Sequence, residues 1–256
     1  MRALSRLAWR NLWRSPRRTL LTLAAIALGV MALVSVHSFR EVANAGMIDG
    51  VTRGLVGHAQ IHGLGYQASP ELENGVGTPG AVLAVVRQRV PTAEVERRVV
   101  GAGLAGAGEA SAPVMVLGVE PAAAVAQGLY AIEQGRPLGE QATGEAVIGS
   151  GLGRELGVGP GGELVLVGQA ADGSLANDRF TIVGIADAGS LEANATSVFL
   201  ALGEAQSFFA LGERVHQLVL RLPGDGADPT AAVANLRAAL DPAALEVLPW
   251  TEILPE

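Results

Sequence analysis

The chain has 256 residues, a formal net charge of −7 and no cysteine, which excludes disulfides and thiolate metal sites. Its 18 basic residues are all arginines, so the lysine-dependent phosphate loop of many nucleotide hydrolases is also excluded. Beyond residue 39 the chain carries 12 arginines and 25 acidic residues, a net charge of −13, which makes that part a poor partner for nucleic acid.

The first 18 residues predict a cytoplasmic helix that lies in the membrane interface. Arginines recur at helical spacing on one side of this segment, and leucines occupy the other side. Two tryptophans lie at the edge of the arginine side, as in interfacial aromatic belts. The residues expected to anchor the segment at the interface are Trp9, Trp13, Arg14, Arg17 and Arg18.

Residues 19–39 predict one transmembrane helix, because they form an uncharged apolar run. A helix of roughly 20 residues spans a hydrocarbon core of about 30 Å. Arginines before the run and carboxylates after it place the amino terminus in the cytoplasm and the remaining mass outside. A cleaved signal peptide and a twin-arginine export signal are alternatives, but the small-residue site at 43–45 lies beyond Arg40 and Glu41.

The next part of the chain predicts a stalk followed by a β-α-β-β unit. Residues 40–56 continue a helical pattern, and glycines near residue 57 end it. We expect a strand at 58–62, a loop at 63–77 and a helix that begins at Pro79, with Thr78 as its N-cap. Two β-branched runs at 95–104 and 114–119 predict strands.

The centre of the chain predicts a small β-rich subdomain, and the end predicts a β-α-β unit. In the centre we expect strands at 146–148, 163–167, 180–185 and 197–200, with helices at 150–156 and 203–211. The last unit has strands at 217–222 and 245–248 around a helix at 229–240, with Asp228 as its N-cap. The expected fold class is α+β: residues 57–139 and 213–248 form a split β-α-β domain, and residues 140–212 are inserted into it.

The residues that could form catalytic, cofactor or metal sites are better explained as parts of turns, strands and the core. The glycines at 149, 151 and 153 follow a strand, but their spacing does not match a dinucleotide-binding fingerprint, so we expect a structural turn. His58 and His62 share a strand face but have few further candidate ligands. We expect Phe208 and Phe209 to pack in the core. We therefore expect no enzyme activity, no cofactor and no metal.

Several motifs resemble those of ABC transporter permeases of the MacB, FtsX and LolC/LolE type. The opening motif at residues 8–18, AWRNLWRSPRR, is similar to the start of these permeases, and GHAQIHG at 57–63 resembles the lipoprotein-releasing branch. VIGSGL at 147–152 and FTIVGI at 180–185 resemble the inserted subdomain of their periplasmic region. PWTE at 249–252 is similar to the segment that leads into the second membrane helix.

The resemblance implies a permease that works with a cytoplasmic ABC ATPase subunit and a second permease subunit. ATP-driven motion would pass through the stalk to the periplasmic domain, for release or export of lipoproteins or lipids. Other implied contacts are membrane lipid and a periplasmic partner, in the inner membrane of a bacterium. Such permeases have three further membrane helices, so we expect a truncated chain in which residues 249–256 begin the segment before the second helix.

Two other interpretations remain open on the residues alone. A bitopic, membrane-anchored protein with a periplasmic binding or scaffold domain needs only the predicted anchor and a stable outer domain. A secreted enzyme behind a signal sequence is a third interpretation, but no catalytic constellation supports it.

Overall fold

The structure, a computed structural model, describes residues 17, 20–21, 26–31, 56–140, 143–224 and 228–253. The chain divides into two units, Met1–Ile48 and Asp49–Glu256. The described residues of the first unit are helical and exposed. Three predicted segments lie mainly outside the described residues: the interfacial helix (apart from Arg17), most of the span at 19–39, and the stalk at 40–56 (apart from Val56). Across the described residues, no helix combines the length and the apolar character needed to cross a bilayer.

In its described part, the second unit contains ten strands and seven helices. The strands are β1 (Ala59–Gly63), β2 (Glu94–Ala107), β3 (Ala110–Val119), β4 (Ala131–Gly135), β5 (Glu145–Gly149), β6 (Glu163–Gln169), β7 (Leu175–Asp187), β8 (Ser197–Ala201), β9 (Gln217–Arg221) and β10 (Leu245–Pro249). The helices are α1 (Pro79–Arg89), α2 (Pro121–Ala126), α3 (Ser150–Leu156), α4 (Leu191–Thr196), α5 (Leu202–Phe208), α6 (Thr230–Arg237) and α7 (Trp250–Ile253).

One half of the sheet is built from the two ends of the unit. Its strand order is β10-β1-β9-β2, and every neighbouring pair is antiparallel. The pairing puts Ile61 opposite both Leu218 and Val247, so these apolar side chains share one face. They belong to the same buried core as Val86 of α1 and Leu236 of α6, which cover that face.

The other half of the sheet closes on itself as a ring of six strands. Around the ring the order is β2-β3-β8-β5-β7-β6, and β6 pairs again with β2. Strand β4 pairs with β7 outside the ring. Strand β2 is shared: its residues 94–98 pair with β9, and its residues 99–107 pair with β3. The two halves therefore share one continuous strand.

The mixed α/β architecture agrees with the predicted class, and most predicted elements are present. Helices α2, α4 and α7 and strand β4 were not expected. Thr78 stands at the N-cap of α1, but its side chain makes no capping hydrogen bond. The N-cap position of α6 is Pro229 instead of Asp228, although Asp228 Oδ1 accepts a hydrogen bond of 2.9 Å from the Thr230 amide. The subdomain boundaries at 140 and 212 stay a prediction; β6 and β8, within them, pair with β2 and β3 outside them.

Candidate functional site

The candidate site is the edge of the sheet where the chain enters and leaves the folded unit. The first strand, β1, and the last strand, β10, are antiparallel neighbours, and Ala59 lies opposite Pro249. The Trp250 amide donates to the His58 carbonyl at 3.1 Å. Just before β1, Gly57 has φ +70°, and a Cβ there would overlap the Val219 side chain. The two chain connections therefore run side by side at one corner of the sheet.

The short helix α7, which follows β10, is fastened to this corner by polar contacts from two other segments. Arg237, at the end of α6, donates from Nε to the Val247 carbonyl and from Nη2 to Glu252 Oε2, both at 2.9 Å. From the loop after β1, the Gln67 side chain donates to the Ile253 carbonyl at 3.4 Å. The direction in which the chain continues after β10 is thus set by side chains from α6 and from that loop.

A layer of buried polar side chains lies beside the same corner, on the sheet face opposite α1 and α6. Gln60 Nε2 donates to the Val56 carbonyl at 2.8 Å, so Gln60 Oε1 accepts from His62 Nε2 at 2.6 Å. Among the described residues His62 Nδ1 has no hydrogen-bond partner. Glu246 Oε1 lies 3.7 Å from it, which is too long for a hydrogen bond. Burial lowers the pKa of His62 to about 4, and the nearby Glu246 carboxylate offsets part of that shift. His62 is therefore neutral at pH 7.

Two aromatic rings complete this layer. Tyr66 contacts the His62 ring edge-on and stacks on His216, with ring centroids 5.4 Å apart in the stacked pair. His216 Nδ1 accepts from the Val100 amide at 2.9 Å. Burial lowers the pKa of His216 and raises the pKa of Tyr66 to about 12, so both groups stay neutral at pH 7.

A buried ion network lies on the same face, between β2 and β9. Glu96 is fully buried, and its Oε2 accepts from Arg98 Nη2 at 2.7 Å and from Arg221 Nη1 at 3.1 Å. Arg221 also donates to the side chain of Gln127, which follows α2. The network therefore joins the sheet to the segment after α2. Because the charges are desolvated, each depends strongly on its partners.

Of the predicted anchoring residues, the structure describes only Arg17, which is helical and exposed. Trp9, Trp13, Arg14 and Arg18 lie outside the described residues. No interface role is tested for any of the five, and that role stays a prediction.

The other candidates from the sequence have structural roles. His58 Nδ1 accepts from the Leu222 amide at 3.1 Å, and no metal-binding cluster of acidic or histidine side chains occurs in the part of the chain that the structure describes. Gly151 lies where a Cβ would come within 2.9 Å of the Asn194 carbonyl oxygen, so close packing of α3 on α4 requires a glycine. Phe208 and Phe209 are buried in the core, as expected.

Sequence reasoning missed Gln67, Arg237 and Glu246, which lie around the corner of the sheet. They are ordinary polar residues in a loop, a helix and a strand. The contacts of Gln67 join positions far apart in the chain, and the contact of Arg237 joins α6 to the helix after the next strand. The only local signal is Arg237 in the last turn of a predicted helix, where a basic side chain is common for other reasons.

The geometry of this unit matches known proteins. Residues 19–239 match the family model of the MacB-like periplasmic core domain. The periplasmic region of MacB from Actinobacillus actinomycetemcomitans superposes with a TM-score of 0.54 at 14% identity, covering 75% of this chain and 87% of that one. The extracellular domain of the noncanonic ABC-type transporter YknZ from Gram-positive bacteria gives 0.51 at 10% identity, covering 74% and 98%. Curated protein sequences gave no significant match.

The two solved structures share the fold of this unit, and the family model covers most of the chain. The resemblance seen in the sequence motifs is thereby confirmed. The chain belongs to the MacB-like periplasmic core domain family and carries the periplasmic domain of an ABC transporter permease of the MacB/FtsX type.

Proposed function

We propose that this chain transmits ATP-driven motion from a separate cytoplasmic ATPase to its periplasmic domain, for release or export of lipoprotein or lipid. It acts as the permease subunit, paired with a second permease subunit in the bacterial inner membrane. ATP is hydrolysed on the partner, and this chain contributes movement. The family membership supports a permease, and the geometry of the sheet corner supports the mechanical role.

The observation that carries the proposal is the pairing of Ala59 with Pro249. A domain driven by membrane helices must receive force through its chain connections. Here both connections meet on neighbouring antiparallel strands that continue into the hydrogen-bonded sheet. Because a paired sheet and a packed core deform little, a displacement at this corner moves the whole unit as one body.

The membrane side of the proposal rests on the sequence. Residues 19–39 cross the bilayer, residues 40–56 form the stalk, and the interface is held by Trp9, Trp13, Arg14, Arg17 and Arg18. Within the outer part, residues 140–212 form the inserted subdomain of the split domain. An acidic surface on that domain favours solubility in the periplasm.

The test is to loosen one connection and measure whether the domain still responds to ATP. Leu191 is 88% exposed and the chain has no cysteine, so a fluorophore on Leu191→Cys reports from one position. The permease is co-reconstituted with its ATPase in vesicles that contain an acceptor lipid. Energy transfer is then compared before and after trapping with ATP and vanadate. Eight Gly/Ser residues inserted between Ile253 and Leu254 should reduce the ATP-dependent change to less than about a third.

The matched control is the same insertion between Asp172 and Gly173, in the exposed turn that joins β6 to β7. It adds the same flexibility away from the sheet corner and should leave the ATP-dependent change intact. An unmodified permease whose signal does not respond to ATP would contradict the proposal. Such a result would favour the membrane-anchored scaffold.

A further inference from the structure

The helix α7 has no fully buried residue. Trp250 and Ile253 are half-buried, and Thr251 and Glu252 are exposed. A four-residue helix is also too short to be stable by itself. Its orientation therefore depends on the polar contacts that other segments make with it as well as on these two half-buried side chains.

Arg237 makes one of these contacts, and the same side chain also binds the strand that precedes α7. The guanidinium donates to the carbonyl of Val247 in β10 and to the carboxylate of Glu252 in α7. Its planar group presents donors in a fixed fork, so the two bonds together fix the position of α7 relative to the last strand. About half of each charged side chain is exposed, 48% for Arg237 and 49% for Glu252.

We infer that Arg237 is a positioning residue that fixes the angle at which the chain leaves the sheet after β10. This inference rests on the proposed function, because the angle matters only where force enters the domain through that connection. With both Arg237 bonds in place, a displacement of the chain beyond residue 253 turns the sheet. Without these bonds, α7 rotates about its junction with β10, and the displacement does not reach the sheet.

The positioning role of Arg237 can be measured separately from any contribution of Arg237 to the free energy of unfolding. An exposed ion pair adds little to the free energy of unfolding, so removal of Arg237 should leave the fold intact. The core side of α6 is formed by Ala232, Val233 and Leu236, which such a change does not touch. A merely structural residue would alter the unfolding midpoint, whereas a positioning residue alters the motion of α7.

The first measurement uses a nitroxide label on Thr251→Cys, an exposed position in α7. In the full chain, Arg237→Gln should shorten the rotational correlation time of the label about threefold, with little change in the thermal midpoint. The matched control is Arg179→Gln, which removes an exposed ion pair of 3.5 Å with Glu163 in the ring of strands. The control should not change the label's motion.

The second measurement repeats the ATP-and-vanadate energy transfer from Leu191→Cys in the reconstituted complex. Arg237→Gln should reduce the ATP-dependent change at least about threefold, and Arg237→Lys should restore only part of it because an ammonium lacks the fork. If the unmodified complex responds to ATP and Arg237→Gln responds equally, the inference is wrong while the proposed function stands. If the unmodified complex does not respond to ATP, the proposed function is wrong, and the inference that rests on it is wrong as well.

A milder variant covers the case in which Arg237→Gln does not fold. Glu252→Gln removes the charge of the acceptor and leaves the bond from Arg237 to Val247 in place. It should give an intermediate increase in label motion and an intermediate loss of the ATP-dependent change. Unchanged label motion in this folded variant would overturn the inference.

Discussion

Glu96 and Arg221 form an ion pair of 3.1 Å between β2 and β9, and both side chains are almost fully buried. Arg98 contacts the same carboxylate oxygen at 2.7 Å. One carboxylate thus serves two guanidinium groups in a desolvated layer, beside the strands through which the chain enters and leaves the sheet. Substitution of a residue in this buried ion network should therefore change the free energy of unfolding strongly.

The substitution Glu96→Ala should lower the free energy of unfolding by about 3–5 kcal/mol, because it removes the buried carboxylate that both buried guanidinium groups contact. The comparison is Glu163→Ala, which removes a pair with Arg179 that is mostly exposed and should cost less than about 1 kcal/mol. Urea unfolding followed by circular dichroism measures both. Equal effects of the two substitutions would show that the buried network does not stabilise the fold.

Acidification should destabilise the protein through His62. Its folded pKa is about 4 against an ordinary value of 6.5, so between these values the unfolded chain binds a proton that the folded chain does not. Stability is therefore lost as pH falls from about 6.5 to about 4, by up to about 3 kcal/mol from this group. In His62→Gln that contribution should disappear.

The measurement for His62 is the difference in unfolding free energy between wild type and His62→Gln, taken from pH 7.5 to pH 4.5. His216, whose pKa burial also lowers, is present in both proteins and cancels in the difference. Tyr66, which contacts the His62 ring, is likewise present in both proteins. A difference that does not vary with pH would contradict the neutral, buried state of His62.

Two glycine-to-alanine changes should have opposite effects. At Gly101 a Cβ would overlap the ring of the fully buried Phe209, so Gly101→Ala should cost about 1–3 kcal/mol by overpacking. At Gly203, in α5, nothing lies within 4 Å of the added atom, and alanine should stabilise the helix by about 0.5–1 kcal/mol. Thermal unfolding of the two variants tests how α5 and the residue after it pack against β2. A loss of stability in Gly203→Ala, or a gain in Gly101→Ala, would contradict this packing.

The predicted orientation in the membrane can be tested with single cysteines. In intact cells stripped of the outer membrane, a membrane-impermeant maleimide should label Leu191→Cys, which is highly exposed. Ser5→Cys, before the predicted span, should react only after the inner membrane is opened. The reverse pattern, or release of the labelled chain into the soluble fraction, would contradict the anchored orientation.

The sequence by itself determined most of the local structure, because local structure depends on neighbouring residues. Pro79 at the first helical position and valines at helical spacing predict α1, and Gly157 after Leu156 predicts the end of α3. The same proline rule applies to Pro121 and would have found α2. The family resemblance likewise came from ordered local motifs.

Only the tertiary structure decided which polar residues are buried and which segments meet. Alternating charges at Glu94, Glu96 and Arg98 suggest a solvent-facing side of β2, yet Glu96 and Arg98 are buried and form an ion network with Arg221 of β9. The closure of β6 onto β2 joins positions distant in the chain, and the bonds of Arg237 join three consecutive elements, α6, β10 and α7. Such contacts depend on how elements pack in three dimensions, and no local pattern of residue types encodes that packing.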